Sequence, residues 1–132
     1  MSSPTKEVAV ETDLAVRRLI ARYSQLVDDR ELSAATDLFT EDGKVIIGGE
    51  SHRGQAAVKT WLETGPLPQV HLVTNVVVSY GSHPGTVHAV SDLACLATSG
   101  GQTSIVAAGR YHDTMTGEGR SWKFSQRIIK LR

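Results

Sequence analysis

A chain of 132 residues with 14 basic and 14 acidic side chains carries no formal net charge, and 40% of it is hydrophobic. These values describe one globular domain and argue against nucleic acid or an anionic membrane as a partner. No apolar run approaches the ~18–20 residues of a membrane span, and the single cysteine, Cys95, excludes an internal disulfide framework.

Residues 1–11 read as a flexible N-terminal segment of a single domain spanning 1–132. They are polar and acidic, without the apolar core of a signal peptide, so a cytoplasmic location is expected. Asp13 to Asp29 reads as an amphipathic helix with Thr12 as its N-cap and Leu14, Leu19, Ile20, Tyr23, Leu26 and Val27 along one stripe. It ends in Asp28 and Asp29 at the negative pole of the helix, where each carboxylate costs a few tenths to about 1 kcal/mol. Asp29 is free to face water. Asp28 lies at the edge of the apolar stripe and needs a partner, either the neighbouring Arg30 or a group from far along the chain. His71, inside the apolar run Val70 to Val78, is the candidate of that second kind.

A short helix capped by Ser33 follows, with Ala34, Ala35, Leu38 and Phe39 as its apolar side. Glu41-Asp42-Gly43 is a turn signal, and Lys44 to Gly48 a short strand. Gly54 opens a third helix, Gln55 to Glu63, which Gly65-Pro66 ends. Beyond Pro68 the character changes to β-branched runs, with strands expected at about 69–80, 86–98, 102–114 and 120–131. Helices first and an antiparallel meander afterwards indicate an α+β domain, with helices on one face of a curved sheet. Val70, Leu72, Val76 and Val78 are expected on one face of their strand and Val73 and Val77 on the other. Helices can cover only one face, so the uncovered apolar face predicts a homodimer or higher homo-oligomer.

Strand parity groups His71, Val73 and Asn75, then His88, Val90 and Asp92, and in the last strand Lys123, Ser125, Arg127 and Ile129 opposite Trp122, Phe124 and Ile128. Turned toward the helices, the His71 face would bring an imidazole and an amide into an otherwise apolar concavity. Each residue also has a purely structural reading. His71 and Tyr23 can be core residues, Asn75 can tie a bulge, and Asp92 can occupy an exposed edge. Arg127 can be a surface residue or a counter-ion for Asp28 or Asp92. No histidine pair has ligand spacing, and there is no phosphate loop, nucleophile elbow or cysteine beside a base in the sequence, so neither metal nor organic cofactor is expected.

The pattern resembles the SnoaL-like branch of the nuclear transport factor 2-like superfamily. Ile20-Ala21-Arg22-Tyr23 with Asp28, Leu38 to Gly43, His71-Leu72-Val73-Thr74-Asn75, Gly109 to Asp113 and Trp122 to Arg127 carry the resemblance, over roughly residues 12–130. It implies a cone-shaped α+β barrel with N-terminal helices packed on a strongly curved, mostly antiparallel sheet. The helix aspartate and strand histidine are similar to those of the cofactor-free lyases scytalone dehydratase, bile-acid 7α-dehydratase and hexachlorocyclohexane dehydrochlorinase. That similarity implies His71 as base, Asp28 as its orienter and Arg127 as an anion or leaving-group contact, with Tyr23 or Asp92 assisting. Leu26, Phe39, Trp61, Val73 and Asn75 would bind a small hydrophobic, ring-containing substrate. A polyketide cyclase or ketosteroid-type isomerase would use the same pocket. A limonene-type epoxide hydrolase would need Asp28, Asp92 and Arg127 to position water. A non-catalytic ligand-binding or assembly subunit is the alternative from another class.

Overall fold

The computed structural model describes residues 7–65 and 69–132. The first six residues of the expected flexible segment, and the prolines expected to end the third helix and precede the sheet, lie outside the described residues. Helices α1 (Val10–Asp28), α2 (Leu32–Thr36) and α3 (Gln55–Glu63) pack on strands β1 (Phe39–Ile47), β2 (Glu50–Arg53), β3 (Val70–Tyr80), β4 (Thr86–Ser99), β5 (Gln102–Glu118) and β6 (Ser121–Leu131). The six strands form one curved sheet in the order β2-β1-β6-β5-β4-β3. β1 and β6 run parallel and every other pair antiparallel. The α+β architecture is as expected, but the sheet does not close into a barrel. β2 and β3 remain its edges, and α1 against β3 and α3 against β1 cover the concave side instead.

The long strands follow from alternation. In β4, Val87, Ala89, Ser91, Leu93 and Cys95 are buried, while the residues between them are more exposed. β4 and β5 are joined through Gly100 and Gly101, at φ 58° and 76°, with Ser99 paired to Gln102. Two consecutive positive φ values make the two-residue hairpin turn whose twist matches the flanking strands, and glycine adopts them without strain. Tyr23, Phe39 and Phe124 centre the core, with ring centroids 5.1–5.6 Å apart.

Several local expectations change. α1 begins at Val10 with Ala9 as N-cap rather than at Thr12, because Val8 is buried and anchors the chain ahead of the helix. Leu14 is 59% exposed, and Val16 occupies the buried stripe instead. Phe39 is the first residue of β1, not part of α2, which is entered from Glu31 rather than Ser33. Glu41-Asp42-Gly43 lies within β1, where the register against β6 shifts between Phe39 and Lys44, so the turn signal marks an irregularity in a strand. β2 is polar throughout and only four residues long, with no alternation to announce it.

Bulges rearrange the faces of two strands. In β3, Asn75 stands at φ 54° and the register against β4 shifts between Thr74 and Val77. His71 and Val73 therefore face the helices before the bulge, and Val76 and Val78 after it. Val70, Leu72 and Val77 are left outside. In β6, Phe124 pairs with Met115 but Gln126 with Thr114, and the extra residue brings both Phe124 and Arg127 to the buried side rather than to opposite faces.

Candidate active site

The last turn of α1 places Asp28 over the start of β3. Asp28 Oδ1 lies 2.6 Å from His71 Nδ1, and the His71 backbone N–H donates to Asp28 Oδ2 at 2.9 Å. One carboxylate thus fixes both the strand and the ring, and offers an acceptor to an Nδ1–H. The uncharged tautomer so favoured carries its free lone pair on Nε2. Both side chains are largely covered, at 18% and 14% exposure. Asp28 does not pair with Arg30, whose Nη1 instead donates to the Leu62 carbonyl at 3.2 Å.

His71 lines a cavity of about 430 Å³ between the end of α1, α3 and the inner face of the sheet. That volume lies within the range of small-molecule sites. Its walls are mostly apolar, including Val27, Leu62, Leu93 and Ile129, with Trp61 stacked on His52 at one side. Thr64, Val106 and Leu131 are exposed and mark its open side.

Arg127 faces the same cavity and is fully buried. Its Nε and Nη2 donate to Asp113 Oδ1 and Oδ2 at 2.8 and 2.9 Å, a bidentate pair between directly opposed residues of β5 and β6. The guanidinium also lies 3.6 Å from the Tyr111 ring centroid and 5.0 Å from that of Tyr23. Burial works against its charge, but the Asp113 carboxylate outweighs this and holds the guanidinium above its ordinary value. Burial pushes the Tyr111 hydroxyl up to about 12 and raises that of Tyr23 well above its usual range, with Arg127 only partly opposing. Both phenols therefore stay protonated donors. Arg127 Nη1 and Ser24 Oγ are buried without a hydrogen-bond partner among the described residues, and both residues line the cavity. Cys95 lies opposite His71 on β4, its thiol pushed up by burial and then by Asp28.

Of the residues expected from sequence, His71, Tyr23, Arg127 and Trp61 line the cavity and Asp28 stands behind His71. Asp92 does not reach it. It lies on the outer face, accepting from Arg110 Nε at 2.7 Å and from Asn75 Nδ2 at 3.0 Å. Asn75 is turned outward by its own bulge, and neither residue lines the cavity. Leu26 and Phe39 are core residues rather than wall residues, and Val73 packs against that core. Arg127 is neither a surface residue nor a counter-ion for Asp28 or Asp92. Its partner Asp113 was not anticipated, although Gly109, Tyr111, Asp113 and Met115 alternate as one buried face of β5. Among the described residues no cluster of His, Cys, Asp or Glu could hold a metal ion.

The SnoaL-like domain model matches residues 8–128. No curated protein sequence matches the chain. Among solved structures, an NTF2-like protein with a cystatin-like fold from Novosphingobium aromaticivorans is 22% identical, with a TM-score of 0.81 over 92% of this chain and 82% of that one. A protein from the same organism, provisionally named a scytalone dehydratase, is 23% identical, with a TM-score of 0.77 over 94% and 89%. Aln2 from a Streptomyces species is 17% identical, with a TM-score of 0.86 over 95% and 94%.

Proposed function

The chain belongs to the SnoaL-like domain family, and from that premise we propose that it is a cofactor-independent lyase of the dehydratase type, acting on a small ring-containing substrate. The observation that carries this reading is the 2.6 Å contact between Asp28 and His71 at the wall of an apolar cavity. The likeness to a protein provisionally named a scytalone dehydratase agrees with it.

In this reading His71 Nε2 removes a proton from the carbon next to the one bearing the leaving hydroxyl. The C–H electron pair becomes the new C=C bond as the C–O bond breaks, and the imidazolium returns the proton to the departing oxygen as water. Asp28 fixes the tautomer of the neutral imidazole before the transfer and steadies the imidazolium after it. The Tyr23 and Tyr111 hydroxyls and Arg127 Nη1 are among the donors available to oxygen atoms of the substrate. The functional unit is a homodimer joined through the outer face of the sheet.

His71→Ala should lower kcat for elimination by about 10²–10⁴-fold, the usual share of general acid–base catalysis, and Asp28→Ala should also lower it with folding retained. Alkene formation from hydroxylated ring ketones, followed by absorbance and product analysis, checks this. Turnover at the wild-type rate in His71→Ala would remove the dyad from the reaction. A rearranged product without loss of water would make the protein an isomerase or cyclase.

A further inference from the structure

Helix α1 ends in a motif that ordinarily takes glycine. The Glu31 N–H donates to the Leu26 carbonyl at 2.9 Å and the Arg30 N–H to the Val27 carbonyl at 3.0 Å, the paired bonds of a Schellman cap, with Arg30 at φ 60°. A side chain in this left-handed position carries backbone strain that glycine avoids. Arginine is held there with its side chain along the wall of the cavity.

The charges around the cavity are unequal. Among the described residues no Asp or Glu lines it. The charge of Arg127 is matched by the bidentate Asp113, and both oxygens of Asp28 are taken by His71. Arg30 enters no ion pair among the described residues, and its one hydrogen bond there, to the Leu62 carbonyl, occupies one N–H of the five its guanidinium offers. The half-buried guanidinium therefore has donors left over beside an apolar cavity.

We propose that Arg30 forms an anion subsite, and that the ligand of this cavity is an apolar ring compound bearing a carboxylate. The inference deepens the dehydratase reading, since it states which end of the substrate is charged while His71 acts at another carbon. A carboxylate at Arg30 would anchor the ring by a charge-assisted hydrogen bond, and the apolar walls would hold the rest.

The test is binding without turnover. Quenching of tryptophan fluorescence, with Trp61 on the cavity wall, reports the affinities of 2-naphthoate and its neutral counterpart 2-naphthamide. The wild type should bind the carboxylate about tenfold more tightly, as expected for one charge-assisted contact. Arg30→Gly should abolish that preference, weakening the carboxylate about tenfold more than the amide. This variant relieves the backbone strain, so it is expected to fold, and thermal melting verifies that. Arg30→Lys should restore part of the preference. His71→Ala should keep the preference while losing turnover, which separates failure of the subsite from failure of the dyad. Equal affinities in the wild type, or a preference that persists in Arg30→Gly or vanishes in His71→Ala, would overturn the assignment.

Discussion

Asp92 and Asp113 are both aspartates inside strands, where that residue is depleted, and their environments are opposite. Asp113 is 2% exposed and holds a guanidinium that is itself fully buried. Asp92 faces outward to Arg110 and Asn75. Asp113→Asn leaves the Arg127 charge uncompensated in the core and should destabilise the fold by about 3–5 kcal/mol, read from urea denaturation. Asp92→Asn should leave turnover unchanged and affect stability only weakly. The hydrogen bond from Arg110, and then that from Asn75, holds the Asp92 carboxyl down at about 2. The small stabilisation it supplies is therefore complete above the ordinary carboxylate value of about 4 and is lost as pH falls from there toward the lowered one. Denaturation midpoints of wild type and Asp92→Asn should differ most near neutrality and converge in acid. The sequence drew attention to Asp92 and passed over Asp113, because an isolated strand aspartate does not reveal its cross-strand partner.

At the scale of elements, the pairing of Asp28 with His71 was legible because a destabilised helix-end acid and a histidine in an apolar strand each lacked an obvious local partner. The third helix was legible too, bounded by glycine at both ends. Faces beyond a bulge were not, since one inserted residue exchanges inside and outside for the rest of the strand. Asn75 shows this in β3: strict alternation puts it beside His71, whereas at φ 54° it turns outward and sends Val76 and Val78 in. The bulge rests on a backbone conformation that asparagine tolerates and β-branched residues do not. Asn75→Val should therefore lose about 1–2 kcal/mol in urea denaturation, while Asn75→Gly should lose little. An equal loss in both variants would assign the effect to the hydrogen bond with Asp92 instead.

The whole molecule has a sheet with two unlike sides. The concave side carries the helices, the Asp28–His71 pair and the cavity. The outer side carries rows of apolar residues across three strands: Val70, Leu96 and Ile105 in register, and next to them Leu72, Ala94 and Ala108. Val70, Leu72 and Ile105 are 48%, 46% and 67% exposed, and β3 is an edge strand, so nothing among the described residues covers this face. A second copy of the same face is the simplest cover, because a two-fold axis makes one patch complementary to itself. Sedimentation at micromolar concentration should show a dimer, and Leu72→Lys with Ile105→Lys should shift it to a monomer with unchanged circular dichroism. A wild-type monomer would remove the dimer from the proposal. The two sides are separated by the sheet itself, so the monomeric variant should keep the proposed His71-dependent turnover. Ile105 adjoins Val106 at the open side of the cavity, however. Loss of turnover in a folded monomer would therefore mean that the partner copy helps to close the site there.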